Sequence, residues 1–164
     1  MAVQGSALFH KPASYYTEAP WRHRAGGGLI LLNLVGEIDN LRLLGGEIEA
    51  VQALASNARA VATRSKTRWQ SRCTSPTARS GLPAVRRGRE HRSWEQTSGA
   101  NPACARDPAE ACCLVSGDRG TLALPSLRRQ TVTGEPSWTT PMSERTLAVV
   151  ATDPLQRQLS TSPR

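Results

Sequence analysis

The clearest pattern in the chain is a helical recurrence of apolar side chains. Leu31, Leu34, Val35, Ile38, Leu41 and Leu44 repeat at three- and four-residue spacing, while Glu37, Asp39, Asn40 and Arg42 fall largely off that stripe. The spacing predicts a helix over Leu29–Leu44, stopped by Gly45 and Gly46. Ahead of it, Val3–Phe9 is a short, moderately apolar run that reads as a strand. Residues 10–24 hold Pro12, Tyr15, Tyr16, Pro20 and Trp21, the composition of an ordered loop with aromatic anchors. Gly26, Gly27 and Gly28 then permit a tight or closely packed backbone. Glu47–Ala55 admits two readings, a strand entered from the glycine turn or a second helix. Further on, Cys112–Ser116 and Thr121–Pro125 flank Gly117-Asp118-Arg119-Gly120, the pattern of a β-hairpin. From Gln130 the chain reads as loop, with Pro136, Pro141 and Pro154 and one short strand at Thr146–Ala151.

Between Arg59 and Arg92 the periodicity vanishes. Pro76, Gly81, Pro83 and Gly88 sit among Ser, Thr and Arg, with few large apolar residues. Such a stretch buries too little surface to offset its ordering entropy, so disorder or loose attachment is expected. The same window carries the charge. The chain of 164 residues has a formal charge of +8. The window has nine Arg, one Lys (Lys66) and one acid (Glu90), a net of +9, which leaves the remainder almost neutral. Basicity of this kind suggests nucleic acid or an anionic membrane as partner. An almost pure Arg count is also what codons rich in G and C produce without selection.

Cys73, Cys104, Cys112 and Cys113 offer no CxxC pair, and His91 stands at no familiar zinc spacing, so reduced thiols are expected and no metal site. No apolar run approaches the roughly 18 residues that span a bilayer. Met1 is not followed by a basic start and an apolar stretch, so the expectation is a cytoplasmic protein without a signal peptide.

Two blocks resemble a known family. The first runs through Trp21-Arg22, Gly26-Gly27-Gly28, Asn33, Asp39-Asn40-Leu41-Arg42-Leu43-Leu44, Gly46-Glu47-Ile48 and Val51-Gln52-Ala53. The second runs through Ser93-Trp94-Glu95-Gln96-Thr97-Ser98, Val115-Ser116-Gly117, Gly120-Thr121-Leu122 and Gly134-Glu135-Pro136-Ser137-Trp138. Together they resemble the C-terminal domain of the glucose–fructose oxidoreductase / inositol dehydrogenase (Gfo/Idh/MocA) family. The resemblance implies an α/β (α+β) fold, one main helix packed on a mostly antiparallel sheet. It divides the chain into a first part of that domain at 1–58, a disordered or frame-shifted basic segment at 59–92, a second part at 93–159 and a disordered tail at 160–164.

The family is NAD(P)-dependent and passes hydride between nicotinamide and a sugar, polyol or similar alcohol carbon. Its cofactor machinery belongs to a Rossmann domain that this chain lacks: no GxGxxG follows a strand, and no Glu-Lys-Pro motif supplies the family's Lys. Lys11-Pro12 has no Glu before it. The family's catalytic His lies three residues before the Asp that matches Asp39, and here that position is Gly36, which cannot transfer a proton. One turn earlier, where many members carry a carboxylate, stand Leu32 and Asn33. Glu37 is adjacent, but one residue round a helix is about 100° away. By resemblance, Tyr15, Tyr16, Trp21 and Arg22 line or support the substrate pocket, with Asn33, Glu37 and Asp39 as further contacts. Aromatics before a helix also serve as packing anchors, and Asp39 also reads as a helix-surface carboxylate.

The family has strands where the basic window stands. Read one base out of frame, ordinary codons for Arg64–Gly81 can give Val-Glu-Asp-Thr-Val-Ala-Val-Ala-Leu-His-Phe-Ala-Asn-Gly-Ala-Leu-Gly, two alternating segments about an Asn-Gly turn. Three readings follow. The chain is a remnant of an oxidoreductase, inactive alone. It is a non-catalytic partner, docking through its sheet on an intact relative or on another copy. Or it is an Arg-rich nucleic-acid binder with Trp69 and Trp94 available to stack on bases.

Overall fold

The structure, a computed structural model, describes residues 1–9, 11–24, 26–56, 68–74, 79–82, 93–98, 110–150, 152–153, 156–157 and 160. Its longest element is helix α2, Leu29–Gly45. Gly28 enters it at φ +96°, and Gly46 leaves it at φ +85°, donating its N–H to the Arg42 carbonyl at 2.9 Å. Both are positive-φ conformations that glycine reaches without steric penalty. The predicted span holds, but the rotation differs from the apolar stripe. Leu34, Glu37 and Leu41 are buried, whereas Leu31 and Val35 are 62% and 68% exposed. Ile30-Leu31-Leu32 makes this helix apolar on several sides, so spacing alone fixes the helix and leaves its facing to the sheet.

Among the described residues eight strands form one sheet in the order β2-β3-β4-β1-β5-β6-β7-β8. Strand β1 (Ala2–Gly5) lies inside it, parallel to β4 (Arg79–Leu82) and antiparallel to β5 (Cys113–Gly117). All other pairings are antiparallel. The α+β expectation of one main helix on a mostly antiparallel sheet is met. The hairpin of β5 and β6 (Gly120–Leu124) closes through Asp118-Arg119 with Gly117 opposite Gly120, as the turn signal predicts. Between Glu47 and Ala55 the open choice resolves as strand β2, Ala50–Ser56.

Four expectations change. Residues 68–74 and 79–82, inside the window expected to be disordered, are strands β3 and β4; the rest of that window lies outside the described residues. A ladder needs backbone N–H and C=O groups rather than a side-chain pattern, and β3 receives both edges, pairing with all seven residues of β2 and with β4. The 10–24 loop contains helix α1 (Ala13–Thr17) and the 3-10 turn Pro20–His23. The tail contributes β7 (Arg128–Val132) and β8 (Met142–Thr146), while 147–150 is not strand. Both strands are polar on most positions and carry no alternation to announce them. Of the expected disordered tail 160–164, all but Ser160 lies outside the described residues.

The core joins the helix to the middle of the sheet. Val3, Leu41, Cys112, Cys113 and Leu124 form one buried cluster, with Ile38, Leu44, Trp94, Val115 and Leu122 packed on it. A second cluster of Ala7, Phe9 and Leu34 sits nearer the start of α2. Short helix α3 (Trp94–Ser98) is tied to this core by Trp94 packing and by hydrogen bonds. The Trp94 N–H donates to Glu37 Oε1 at 2.9 Å, and the Thr97 hydroxyl lies 3.5 Å from Cys112 Sγ.

Candidate functional site

The aromatic residues ahead of α2 form one cluster. Tyr16, buried on α1, meets Tyr15 edge-on with ring centroids 5.1 Å apart and stacks on His23 at 4.5 Å. The Arg22 guanidinium lies 3.9 Å above the Tyr15 ring and 5.7 Å from Trp21, and its Nη1 donates to the Tyr15 carbonyl at 2.6 Å. Lys11 Nζ lies 5.2 Å from the Tyr15 ring and 6.0 Å from Phe9. Phe9 packs in turn against Leu34, which ties the cluster to α2. Gly27 makes the return of the chain possible: a Cβ there would sit 2.6 Å from the Trp21 carbonyl oxygen. The close-packed backbone expected of the glycine run is found here.

The cluster also leaves polar atoms over. Arg22 Nε and His23 Nδ1 are buried without a hydrogen-bond partner, and so is Asn33 Oδ1 on α2. Buried polar groups are normally satisfied, and an orphan is a place where a ligand or water completes the bonding. Arg22 offers a charge-assisted donor beside the apolar faces of Tyr15 and half-exposed Trp21, and Asn33 offers an acceptor separately on α2. Such a set suits a small molecule rich in hydroxyl or carboxylate oxygens. His23 belongs to this cluster and is not singled out by the sequence, and Lys11, considered there only against the Glu-Lys-Pro motif, joins it. The run Trp21-Arg22-His23 was the available signal, since a turn presents three consecutive side chains together.

On α2 the expected site residues separate. Gly36 is exposed, and a Cβ built on it meets nothing within 4 Å. The position has room for a side chain but no group to move a proton. Glu37 turns inward, 8% exposed, and its carboxylate accepts the Trp94 N–H. Asp39 turns outward and meets Arg42 Nη1 at 3.3 Å. Arg42 also grips Glu47 through Nη2 at 2.8 and 3.0 Å and through Nε at 3.1 Å. These hydrogen bonds and the opposite charge hold the Glu47 carboxyl below the usual carboxylate range. Burial, then the neighbouring Cys112 and Glu37, push the Cys113 thiol up to about 12. A thiol held protonated is a packing group, not a nucleophile. Among the described residues no group of three His, Cys, Asp or Glu side chains is placed to hold a metal, and no helix is long and apolar enough to cross a membrane.

No family model and no curated sequence matches the chain. Solved structures do match its fold. The WlbA dehydrogenase from Bordetella pertussis, in complex with NADH and UDP-GlcNAcA, superposes with a TM-score of 0.55 at 18% identity, over 74% of this chain and 32% of that one. WlbA from Chromobacterium violaceum, with the same two ligands, gives 0.51 at 17%, over 74% and 31%. An oxidoreductase from Agrobacterium radiobacter, in complex with NAD+, L-tartaric acid and magnesium, gives 0.50 at 15%, over 93% and 40%. The chain thus spans about a third of the length of the WlbA dehydrogenases. It has the fold of the portion it covers of dehydrogenases crystallised with NADH or NAD+.

Proposed function

We propose that the chain is a remnant of an NAD(P)-dependent oxidoreductase of the Gfo/Idh/MocA type, descended from an enzyme acting on a sugar or polyol-like substrate, cytoplasmic and inactive alone. The observation that carries this reading is Gly36. It lies in the middle of α2, at the position where the resemblance puts the catalytic His, and open space surrounds it. The helix that carries the family's reactive group is kept, and the group is gone. The fold shared with dehydrogenases crystallised with NADH supports the same reading. Tyr16, Trp21, Arg22 and Asn33 are the retained substrate contacts, and the unpartnered Arg22 Nε and Asn33 Oδ1 fit hydroxyl-bearing ligands. No part of this chain is assigned to NAD(P).

The strands β3 and β4 bear on the shifted frame. They are joined across residues 75–78, with Thr74 opposite Arg79. The out-of-frame reading puts its Asn-Gly turn in that same stretch. Genomic DNA whose codons for 64–91 fail to yield a hairpin in the alternative frames sinks the frame-shift reading. The test of function is direct. The full chain, offered NAD+ or NADP+ with a panel of sugars and polyols, should produce no NADH or NADPH absorbance and should not enhance NADH fluorescence. Saturable NADH binding would overturn the proposal.

A partner role has one observation behind it. Leu31 and Val35 on α2, with Leu43 at 83% exposed, and Val51 and Leu54 on edge strand β2 leave apolar surface uncovered. An intact oxidoreductase or a second copy, engaging the sheet, is the occupant we propose, without specific nucleic acid or membrane binding. Co-purification with an intact relative tests it; a monodisperse monomer at all concentrations that also fails to co-purify with such a relative refutes it.

A further inference from the structure

We infer that the concavity beside β7 is an anion site, built for a phosphate or diphosphate group of a small molecule. One row of cross-strand neighbours leads to it: Val3, Val115, Leu122, Arg129 and Arg145 stand opposite one another in turn from β1 to β8. The row begins in the core beneath α2, where Val3 is buried and Val115 and Leu122 pack on it. It ends in two exposed arginines directly opposite each other. Side chains so placed have Cβ atoms about 4.5–5.5 Å apart, and like charges there are destabilising. Among the described residues neither arginine has an acid partner: on the other side of the sheet, Arg128 and Gln130 take Glu144 at 3.9 and 2.9 Å.

A third arginine is brought in by the hairpin. Gly120 has φ +154°, and a Cβ on it would overlap the Gln130 carbonyl, so only glycine lets the tip of β5–β6 close down on β7. The Val132 N–H then donates to the Arg119 carbonyl at 3.3 Å. Arg119, Arg129, Thr131, Val132, Thr133 and Gly134 line a concavity of about 480 Å³. That volume is in the range of small-molecule pockets, about 300–1,000 Å³. No acid lines it. Two arginines and Thr133 are among the residues that line it, and Arg145 stands opposite Arg129 on β8, a donor set that suits the several oxygens of a phosphate. An anion there would also relieve the Arg129–Arg145 repulsion.

The probe is inorganic pyrophosphate, titrated calorimetrically into the full chain at low salt, with inorganic phosphate as the smaller arm. Saturable one-to-one binding is expected, and Arg129→Ser should weaken it by about tenfold, the loss of one charge-assisted pair. Arg119→Ser, in an exposed turn, should weaken it similarly. Arg128→Ser removes the same charge from the same strand but from the opposite face, and should leave affinity unchanged. Equal weakening by Arg128→Ser and Arg129→Ser would mean a diffuse charge effect and would overturn the site. So would an absence of saturable pyrophosphate binding. A chain that binds pyrophosphate here but no NADH keeps this site and the inactive-remnant reading together, so the two stand or fall separately.

Discussion

Replacing Gly36 by alanine should stabilise this protein. Gly36 lies well inside α2, a helix of 17 residues, with turns of helix on both sides. A glycine in an exposed helix interior costs about 1 kcal/mol relative to alanine, through the backbone freedom it surrenders. The added methyl meets no atom within 4 Å, so it neither packs nor clashes. The change therefore reduces to propensity, about 1 kcal/mol, or roughly 3 °C in melting temperature for a chain of this size. Far-ultraviolet circular dichroism through heat and urea transitions reads it, with the midpoint rising and the urea slope unchanged. Gly36→His should also be tolerated, with a smaller gain because histidine is a poorer helix former. Destabilisation by Gly36→Ala would refute the reasoning, since it would mean that another surface lies against the helix there.

Other perturbations follow from the packing. Leu34→Ala empties a site only 1% exposed between α2 and Phe9 and should cost about 2–5 kcal/mol in urea unfolding. Glu37→Ala strips the acceptor from the partly buried Trp94 N–H and should cost about 1–3 kcal/mol, while Glu37→Gln, which keeps an oxygen, should cost less. Cys113 keeps its proton longer in the folded chain than in the unfolded one, where a thiol titrates near 9. The unfolded state therefore loses protons first, and urea midpoints should fall as pH rises from about 9 towards 12; a Cys113→Ala variant should flatten that fall. On edge strand β2, Leu54→Lys should raise the concentration at which the protein begins to scatter light, and an unchanged threshold would clear that edge of self-association.

Some of this architecture is written locally and some is not. Helix α2 and the β5–β6 turn are set by neighbours in sequence, an apolar recurrence with glycine ends and a Gly-Asp-Arg-Gly loop, so both are legible. The facing of α2 is not, because Leu31 and Leu34 are alike to a pattern and only the sheet tells them apart. Strands β3, β4, β7 and β8 are held by ladders whose partners lie elsewhere in the chain, and their own residues give no alternation to read. The site divides in the same way. The aromatic and arginine cluster is a short-range structure and its members are close in sequence. Glu37 looked like a candidate contact because Asp39 and Gly36 bracket it, and its inward turn depends on Trp94, which is 57 residues away.

The placement of β1 has a consequence for how the chain assembles. Residues 2–5 take their neighbours from residues 79–82 on one side and 113–117 on the other. Loop-closure entropy must be met before either pairing contributes, and such separations slow folding. During synthesis β1 thus emerges well before either of its neighbours and stays unflanked until residues 79–82 and 113–117 have followed it. A chaperone that holds extended apolar segments would find Val3 and its neighbours available for that whole interval, and the rate of release from it would set how much of the protein escapes aggregation.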